Sequence, residues 1–197
     1  MKKVFLVCAM LFLCSCAGRR IVTLTEPFDE NQAKELMKSG KNTIEGSAVF
    51  RQGNGGLQHC AGLPVFLVPA TKYAQERANA LYGDGDKREI VEGVRYPMFT
   101  GQYYNVTLSP DIHAYQQYYK ETTCDIDEKF LFTNIADGDF FILSEITWLV
   151  LNDAHGTDTN GGILMQKINV KGGEKKKIIL SPRKRYSGEK TSFYGYL

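Results

Sequence analysis

Two short segments, CDIDEKFLF at residues 124–132 and IADGDF at residues 135–140, decide the fold. Phe130 and Phe132 occupy alternate positions, as do Phe140 and Ile142, so each pair lies on one face of a strand. The Asp125 side chain can accept a hydrogen bond from the backbone of the turn before Phe130. The segments therefore predict two strands that place aromatic side chains in a common core.

The same pattern of short β-branched or aromatic runs extends over most of the chain. Clusters of Gly, Pro, Asn and Asp separate the runs, and there is no repeated strand-helix-strand period. The predicted strands are 44–50, 63–68, 103–108, 129–133, 139–151, 163–170 and 178–180. Helical spacing of apolar residues predicts two short helices, at 29–39 and 71–82. We therefore expect an all-β fold, an antiparallel Ig-like β-sandwich with two short helices.

The segments quoted above, together with IEGSAVF at 44–50 and AGLPVFLV at 61–68, resemble the carboxypeptidase regulatory-like domain. The resemblance covers residues 43–181 and implies a transthyretin-like sandwich. It also implies a non-catalytic partner module, because no peptidase domain accompanies it here. Glu128 stands where that family has a turn Gly, at a position where a positive φ is expected. Residues 71–121 exceed the compact module and form an insertion in which a function specific to this chain would lie.

The N-terminus predicts export. Lys2 and Lys3 precede an apolar run at 4–13, which would form a signal helix of about 15 Å, half of a hydrocarbon core of roughly 30 Å. The quartet Leu13-Cys14-Ser15-Cys16 resembles the lipobox of bacterial lipoproteins, which implies cleavage after residue 15 and acylation of Cys16. Ala17 then favours the outer membrane and a periplasm-facing protein. The alternative is ordinary cleavage after Ala17 or Gly18, which would release a soluble periplasmic protein.

Together, these features predict the order of segments along the chain. The expected segments are a signal peptide at 1–15, a tether at 16–27, a helical segment at 28–42, the sandwich at 43–181 and a basic aromatic tail at 182–197. Of five cysteines, Cys60 and Cys124 remain in the mature body. An oxidising compartment favours a disulfide between them, with a metal pair or a free thiol as the alternatives.

Candidate catalytic and metal-binding residues have simpler interpretations. Five carboxylates (Asp125, Asp127, Glu128, Asp137 and Asp139) lie within fifteen residues but lack the order of a helix-loop-helix calcium site, so turn chemistry explains them better. The three histidines (His59, His113 and His155), even with Asp153 or Asp158, do not have metal-ligand spacing. No nucleophile-elbow, zinc-protease or phosphate-loop motif occurs. We expect no enzyme, no metal and no cofactor.

Charge and aromatic residues suggest partners. Without Lys2 and Lys3 the chain has 22 basic and 22 acidic residues, which argues against nucleic-acid binding. Residues 171–197 carry eight basic and two acidic residues, so they could contact anionic lipid headgroups or acidic glycans, or simply form a solubilising end. Tyr115, Tyr118 and Tyr119 in the insertion could stack on sugars or cover the core.

The sequence therefore predicts a non-catalytic lipoprotein anchored in the bilayer, whose sandwich contacts envelope proteins or glycans. The alternative is a carbohydrate- or peptidoglycan-binding module that uses the insertion tyrosines.

Overall fold

The computed structural model describes residues 20–52, 55–82, 87–91, 102–103, 106–152 and 156–181. Its strands are β1 (Arg20–Thr23), β2 (Ser39–Arg51), β3 (Leu57–His59), β4 (Pro64–Pro69), β5 (Lys87–Val91), β6 (Gln102–Tyr103), β7 (Val106–Ser109), β8 (Lys120–Thr123), β9 (Lys129–Ile135), β10 (Gly138–Asn152), β11 (Gly156–Val170) and β12 (Lys175–Leu180). The helices are α1 (Glu30–Met37), α2 (Lys72–Tyr82) and a 3-10 helix (His113–Gln117).

Two sheets form the sandwich. The central sheet has the order β5-β11-β10-β4-β8, and all its neighbours are antiparallel. In the outer sheet, β2 pairs with β12 in parallel and with β9 and β3 antiparallel. The main core lies between the sheets, where Ile44 and Phe130 from the outer sheet share one apolar cluster with Leu67, Phe140 and Ile142 from the central sheet. The expected all-β sandwich is confirmed.

A third layer covers the other face of the central sheet. Ala74 and Ala78 of α2 pack against Val68, Phe141 and Met165 of that sheet. A small sheet, β1-β7-β6, lies beside the helix, where Leu108 of β7 and Leu24, the residue after β1, bury Tyr73 of α2. The order of layers is therefore the outer sheet, the central sheet, and then α2 with β1.

The expected tether at 16–27 is wrong for its second half. Arg20–Thr23 form β1, which pairs in parallel with β7. Leu24 is buried, and its backbone N–H donates to the Ser109 carbonyl at 2.8 Å. Apolar side chains at Val22, Leu24 and Phe28 pack into the third layer, which a solvated tether would not do. Only residues 16–19 of the expected tether precede β1.

Helix positions agree with the sequence patterns, and two boundaries differ. Helix α1 begins after Asp29, whose side chain accepts the Gln32 N–H at 3.0 Å as an N-cap. Helix α2 falls within the expected range 71–82. The outer sheet begins at Ser39, so the sandwich starts before residue 43 and the helical segment does not reach residue 42. The expected strand at 103–108 is instead divided between β6 and β7, which pair antiparallel.

Several predicted features lie outside the described residues: the signal helix with Cys16, His155 and the tail at 182–197. Among the residues that are described, no helix has the length and apolar character needed to cross a membrane.

Candidate functional site

The outward-facing side of the outer sheet carries a concentration of lysines. Because side chains alternate along a strand, burial of Phe130, Phe132, Ile178 and Leu180 turns their neighbours to solvent. The register places Lys177, Glu45 and Leu131 in one cross-strand row. Ile179, Ser47 and Lys129 form the next row. We call the surface formed by Lys129, Lys175, Lys177, Glu45, Leu131 and Ile179 the lysine face.

The lysine face has a net positive charge. Lys177 Nζ lies 2.6 Å from Glu45 Oε1, and this hydrogen bond lowers the pKa of Glu45 while raising the pKa of Lys177. Lys175 and Lys129 also lower the pKa of Glu45, so all three ammonium groups act on this carboxylate. Neither Lys129 nor Lys175 has an ion-pair partner within the described part of the chain. Three cations therefore surround one anion on an exposed surface.

Apolar side chains complete the lysine face. Leu131 is 52% exposed and Ile179 is 59% exposed, although both belong to strands whose other side is buried in the core. The face therefore offers cationic groups and aliphatic contacts on one surface of a sheet.

Tyr115 belongs to the third layer. Its ring makes edge contacts with Tyr73 and Phe28, at centroid distances of 5.4 and 6.1 Å. The Arg77 guanidinium lies 5.4 Å from its ring centroid. Burial raises the pKa of Tyr115 to about 12. These contacts make Tyr115 part of the apolar packing around α2.

Tyr118 and Tyr119 contact different parts of the body. Tyr118 stacks at a tilt on Phe28, and its hydroxyl donates to Glu30 of α1. Tyr119 makes an edge contact with Phe66 of β4, with centroids 5.5 Å apart. Tyr115 and Tyr118 therefore share Phe28 as an aromatic partner, whereas Tyr119 packs on Phe66, an arrangement that covers the core.

A buried ion pair lies beside Tyr115. Arg77 Nη1 is 2.6 Å from Asp111 Oδ1, and the Arg77 side chain is 4% exposed. Arg77, Tyr82 and Tyr115 line a cavity of about 20 Å³ between α2 and the central sheet, enough for one or two water molecules. Burial also raises the pKa of Tyr82. This volume is too small for a sugar or a nucleotide.

The predicted carboxylate cluster is used in turns. Asp125 Oδ1 accepts the Lys129 N–H at 2.9 Å, and Asp137 Oδ1 accepts from Asn42 Nδ2 at 2.8 Å and from the Gly172 N–H at 3.0 Å. Asp139 accepts from Asn169 Nδ2 at 2.7 Å. His59 lies at the end of β3, and its Nδ1 pairs with Glu128 Oε2 at 2.8 Å. Within the described residues, no group of three or more His, Cys, Asp or Glu side chains could hold a metal ion.

Cys60 and Cys124 form a disulfide, with Cα atoms 5.7 Å apart and a sequence separation of 64. Both residues are buried in the main core. The bridge joins the segment before β4 to the segment between β8 and β9. The expected disulfide is confirmed.

The lysine face was only partly visible in the sequence. Lys175–Lys177 stood out as basic, but the strand was expected to begin at Ile178. The alternation of KKKIIL would have placed Lys175, Lys177 and Ile179 on one side. Lys129 joins them only through the register of β2 with its two neighbours, which the sequence does not specify.

Comparisons with known proteins support the fold. No protein-family model matches the chain, and a search of curated proteins also found no match. Among solved structures, the chain is similar to the crystal structure of a candidate carbohydrate binding protein from Pseudomonas aeruginosa, with 24% sequence identity and a TM-score of 0.61. The similarity covers 79% of this chain and 98% of that one. At this identity the similarity establishes a shared β-sandwich fold; the carboxypeptidase regulatory-like and lipoprotein resemblances stay expectations.

Proposed function

We propose that this chain is the precursor of a non-catalytic binding module held at the bacterial outer membrane by acyl chains on Cys16. The observation that carries the proposal is the quartet Leu13-Cys14-Ser15-Cys16, followed after three residues by the first strand of a folded body. Several acyl chains, each contributing about 0.8 kcal/mol per buried methylene, would give a stable anchor where one chain would not.

The proposed anchor would hold the body close to the bilayer. Four steps of extended chain separate Cys16 from Arg20, and these span at most about 14 Å. Glu76 of α2 binds the chain just after β1: its carboxylate accepts the Thr25 and Glu26 N–H groups at 2.8–2.9 Å. A pull on the N-terminus would therefore be transmitted to the third layer and not to a loose linker.

A binding role agrees with how the polar residues are used. The carboxylates that could have served in acid-base chemistry, Asp125, Asp137 and Asp139, form turn and cross-strand hydrogen bonds instead. The side chains of the lysine face, by contrast, are exposed and lie on the side of the outer sheet away from the core. Such a surface suits contact with another molecule in the envelope.

Mass spectrometry of the N-terminal peptide tests the anchor directly. Fatty acids on Cys16 are expected, and the Cys16→Ala variant should leave the outer-membrane fraction. Cys14→Ala is the matched control, since it removes the neighbouring thiol and should fractionate like the parent. An unmodified Cys16, with Cys16→Ala fractionating like the parent, would overturn the proposal.

Carbohydrate binding is the second candidate, favoured by the fold shared with the candidate carbohydrate binding protein of P. aeruginosa. The expected sugar-binding surface was the tyrosine group, and Tyr118 and Tyr119 are both partly exposed. Pull-down on peptidoglycan and on a polysaccharide panel tests it. Retention that Tyr118→Ala and Tyr119→Ala abolish would support a tyrosine site, whereas retention unchanged in both would place the sugar elsewhere.

A further inference from the structure

We infer that the lysine face binds an acidic polysaccharide on the side of the molecule away from the anchoring bilayer. This inference rests on the proposed anchoring at Cys16 for its orientation, and it gives the carbohydrate candidate a binding surface and a ligand class.

The layer order puts the lysine face and the anchor on opposite sides. Strand β1 belongs to the third layer, packed with Tyr73 of α2. The lysine face is the outward side of the outer sheet, beyond both the central sheet and the main core. Because packed layers are about 10 Å apart, roughly 20 Å of protein separates the two. With at most about 14 Å of chain before Arg20, the anchoring bilayer lies on the β1 side.

The position of the lysine face, on the side opposite the anchor, distinguishes between two kinds of anionic partner. Lysines beside exposed aliphatic residues suit either an anionic lipid surface or an acidic polymer. The lipid headgroups nearest the anchor are on the wrong side of the molecule. An acidic polysaccharide in the surrounding envelope can reach the outer sheet.

The arrangement of charges fits a polymer better than a small anion. Lys175 and Lys177 alternate along β12, so they lie about 7 Å apart, and Lys129 lies two strands away and one same-face row further along, about 12 Å from Lys177. The described part of the face is an open sheet surface, and each exposed lysine would contribute little alone. A chain with repeated carboxylates engages several lysines at once and gains by multivalency. Leu131 and Ile179 offer apolar contact to the C–H faces of the sugar rings.

The test uses full-length protein in detergent and polygalacturonate, a linear acidic polysaccharide, with neutral dextran as the uncharged comparison. The parent should bind polygalacturonate, lose affinity as salt rises, and ignore dextran. A triple variant, Lys129→Gln, Lys175→Gln and Lys177→Gln, should bind at least about tenfold more weakly. The matched control removes the same charge from the helices, with Lys34→Gln, Lys38→Gln and Lys72→Gln, and should stay within about twofold of the parent.

Two further measurements make the result decisive. Replacing the same three face lysines by Arg should preserve binding, which separates loss of charge from loss of folding, and melting temperatures check the fold. Equal binding by the Gln triple variant and the parent would overturn the inference. Binding to phosphatidylglycerol vesicles without binding to polygalacturonate would also overturn it, in favour of a membrane contact. An absence of fatty acid on Cys16 would overturn the anchoring proposal while leaving the polygalacturonate result to be judged on its own.

Discussion

At the scale of single residues, Glu128 is in a conformation that costs energy. Its φ is 64°, in the left-handed region, at the turn between Asp125 and Lys129. For a residue with a Cβ, this conformation costs about 1–2 kcal/mol. Its pairing with His59 is on the surface and recovers little of that cost.

Glu128→Gly should therefore raise the free energy of unfolding by about 0.5 kcal/mol, because relief of the strain exceeds the added flexibility of the unfolded chain. Urea denaturation measures it. Glu128→Gln keeps the Cβ and removes the charge, so it should change stability by less than about 0.5 kcal/mol. A Gly variant less stable than this control would contradict the strain argument.

The Arg77–Asp111 pair should behave as a buried ion pair. Asp111→Ala leaves the buried guanidinium without this carboxylate and should destabilise the fold by about 3 kcal/mol. Adding Arg77→Met should recover much of the loss, because no buried charge then remains. A double-mutant cycle by chemical denaturation measures the coupling. Strictly additive losses would show that the two residues act independently.

At the scale of elements, Glu76 attaches the chain after β1 to α2. The backbone N–H groups of Glu26 and Thr25 hold the pKa of Glu76 below its usual value of 4.5. The folded state therefore releases this proton more readily than the unfolded state does. The stabilisation is present above the unfolded-state value and is lost as pH falls through the lower folded-state pKa.

Glu76→Gln should loosen the N-terminal segment at neutral pH. Hydrogen exchange should show faster exchange of the Thr25 and Glu26 amides in the variant than in the parent. The difference should shrink as the parent is acidified below the folded-state pKa of Glu76. Glu35→Gln, on the exposed side of α1, is the matched control and should leave these amides unchanged. A difference that persists unchanged in acid would contradict the role of the carboxylate.

The elements visible in the sequence are those that bury aromatic or branched side chains at alternate positions. Strands β9 and β10 were predicted because Phe130, Phe132 and Phe140 show that alternation. Strand β8, with the sequence KETT, was missed because its residues are polar and it forms by pairing with β4. The same holds for β1, where pairing with β7 makes a strand from a segment expected to be a tether. Tertiary pairing decides such strands, and local pattern does not.

At the scale of the whole molecule, the disulfide links distant parts of the fold. Replacing both Cys60 and Cys124 by Ala should lower the free energy of unfolding by about 2–4 kcal/mol, since the 64-residue separation makes the closed loop long. Thermal denaturation of the parent and the double variant measures it. Treating the parent with a reductant should reproduce the loss and leave the double variant unchanged. A reductant effect of equal size in both proteins would exclude the bridge as the cause.

The same distinction between local pattern and tertiary pairing explains which parts of the candidate site could be predicted from the sequence. The disulfide could be predicted because only two of the five cysteines lie outside the expected signal peptide and lipobox. The role of Tyr115, Tyr118 and Tyr119 could not, since each is set by a partner distant in sequence: Tyr73, Phe28 and Phe66 respectively. The lysine face depends on a three-strand register. Residue types indicate which interactions are available, but only the strand register shows on which side of the molecule those side chains lie.

Two probes on opposite layers can determine which side of the molecule faces the bilayer. Ile21 of β1 is 69% exposed and Ile179 of β12 is 59% exposed, so fluorophores attached to Ile21→Cys and Ile179→Cys should both be tolerated. In vesicles holding the acylated protein, nitroxide lipids should quench the probe at 21 strongly and the probe at 179 weakly, because about 20 Å of packed layers lies between them. The same variants with Cys16→Ala control for quenching without the anchor. Equal quenching of the two probes would exclude the proposed orientation, and stronger quenching of the probe at 179 would place the lysine face against the bilayer.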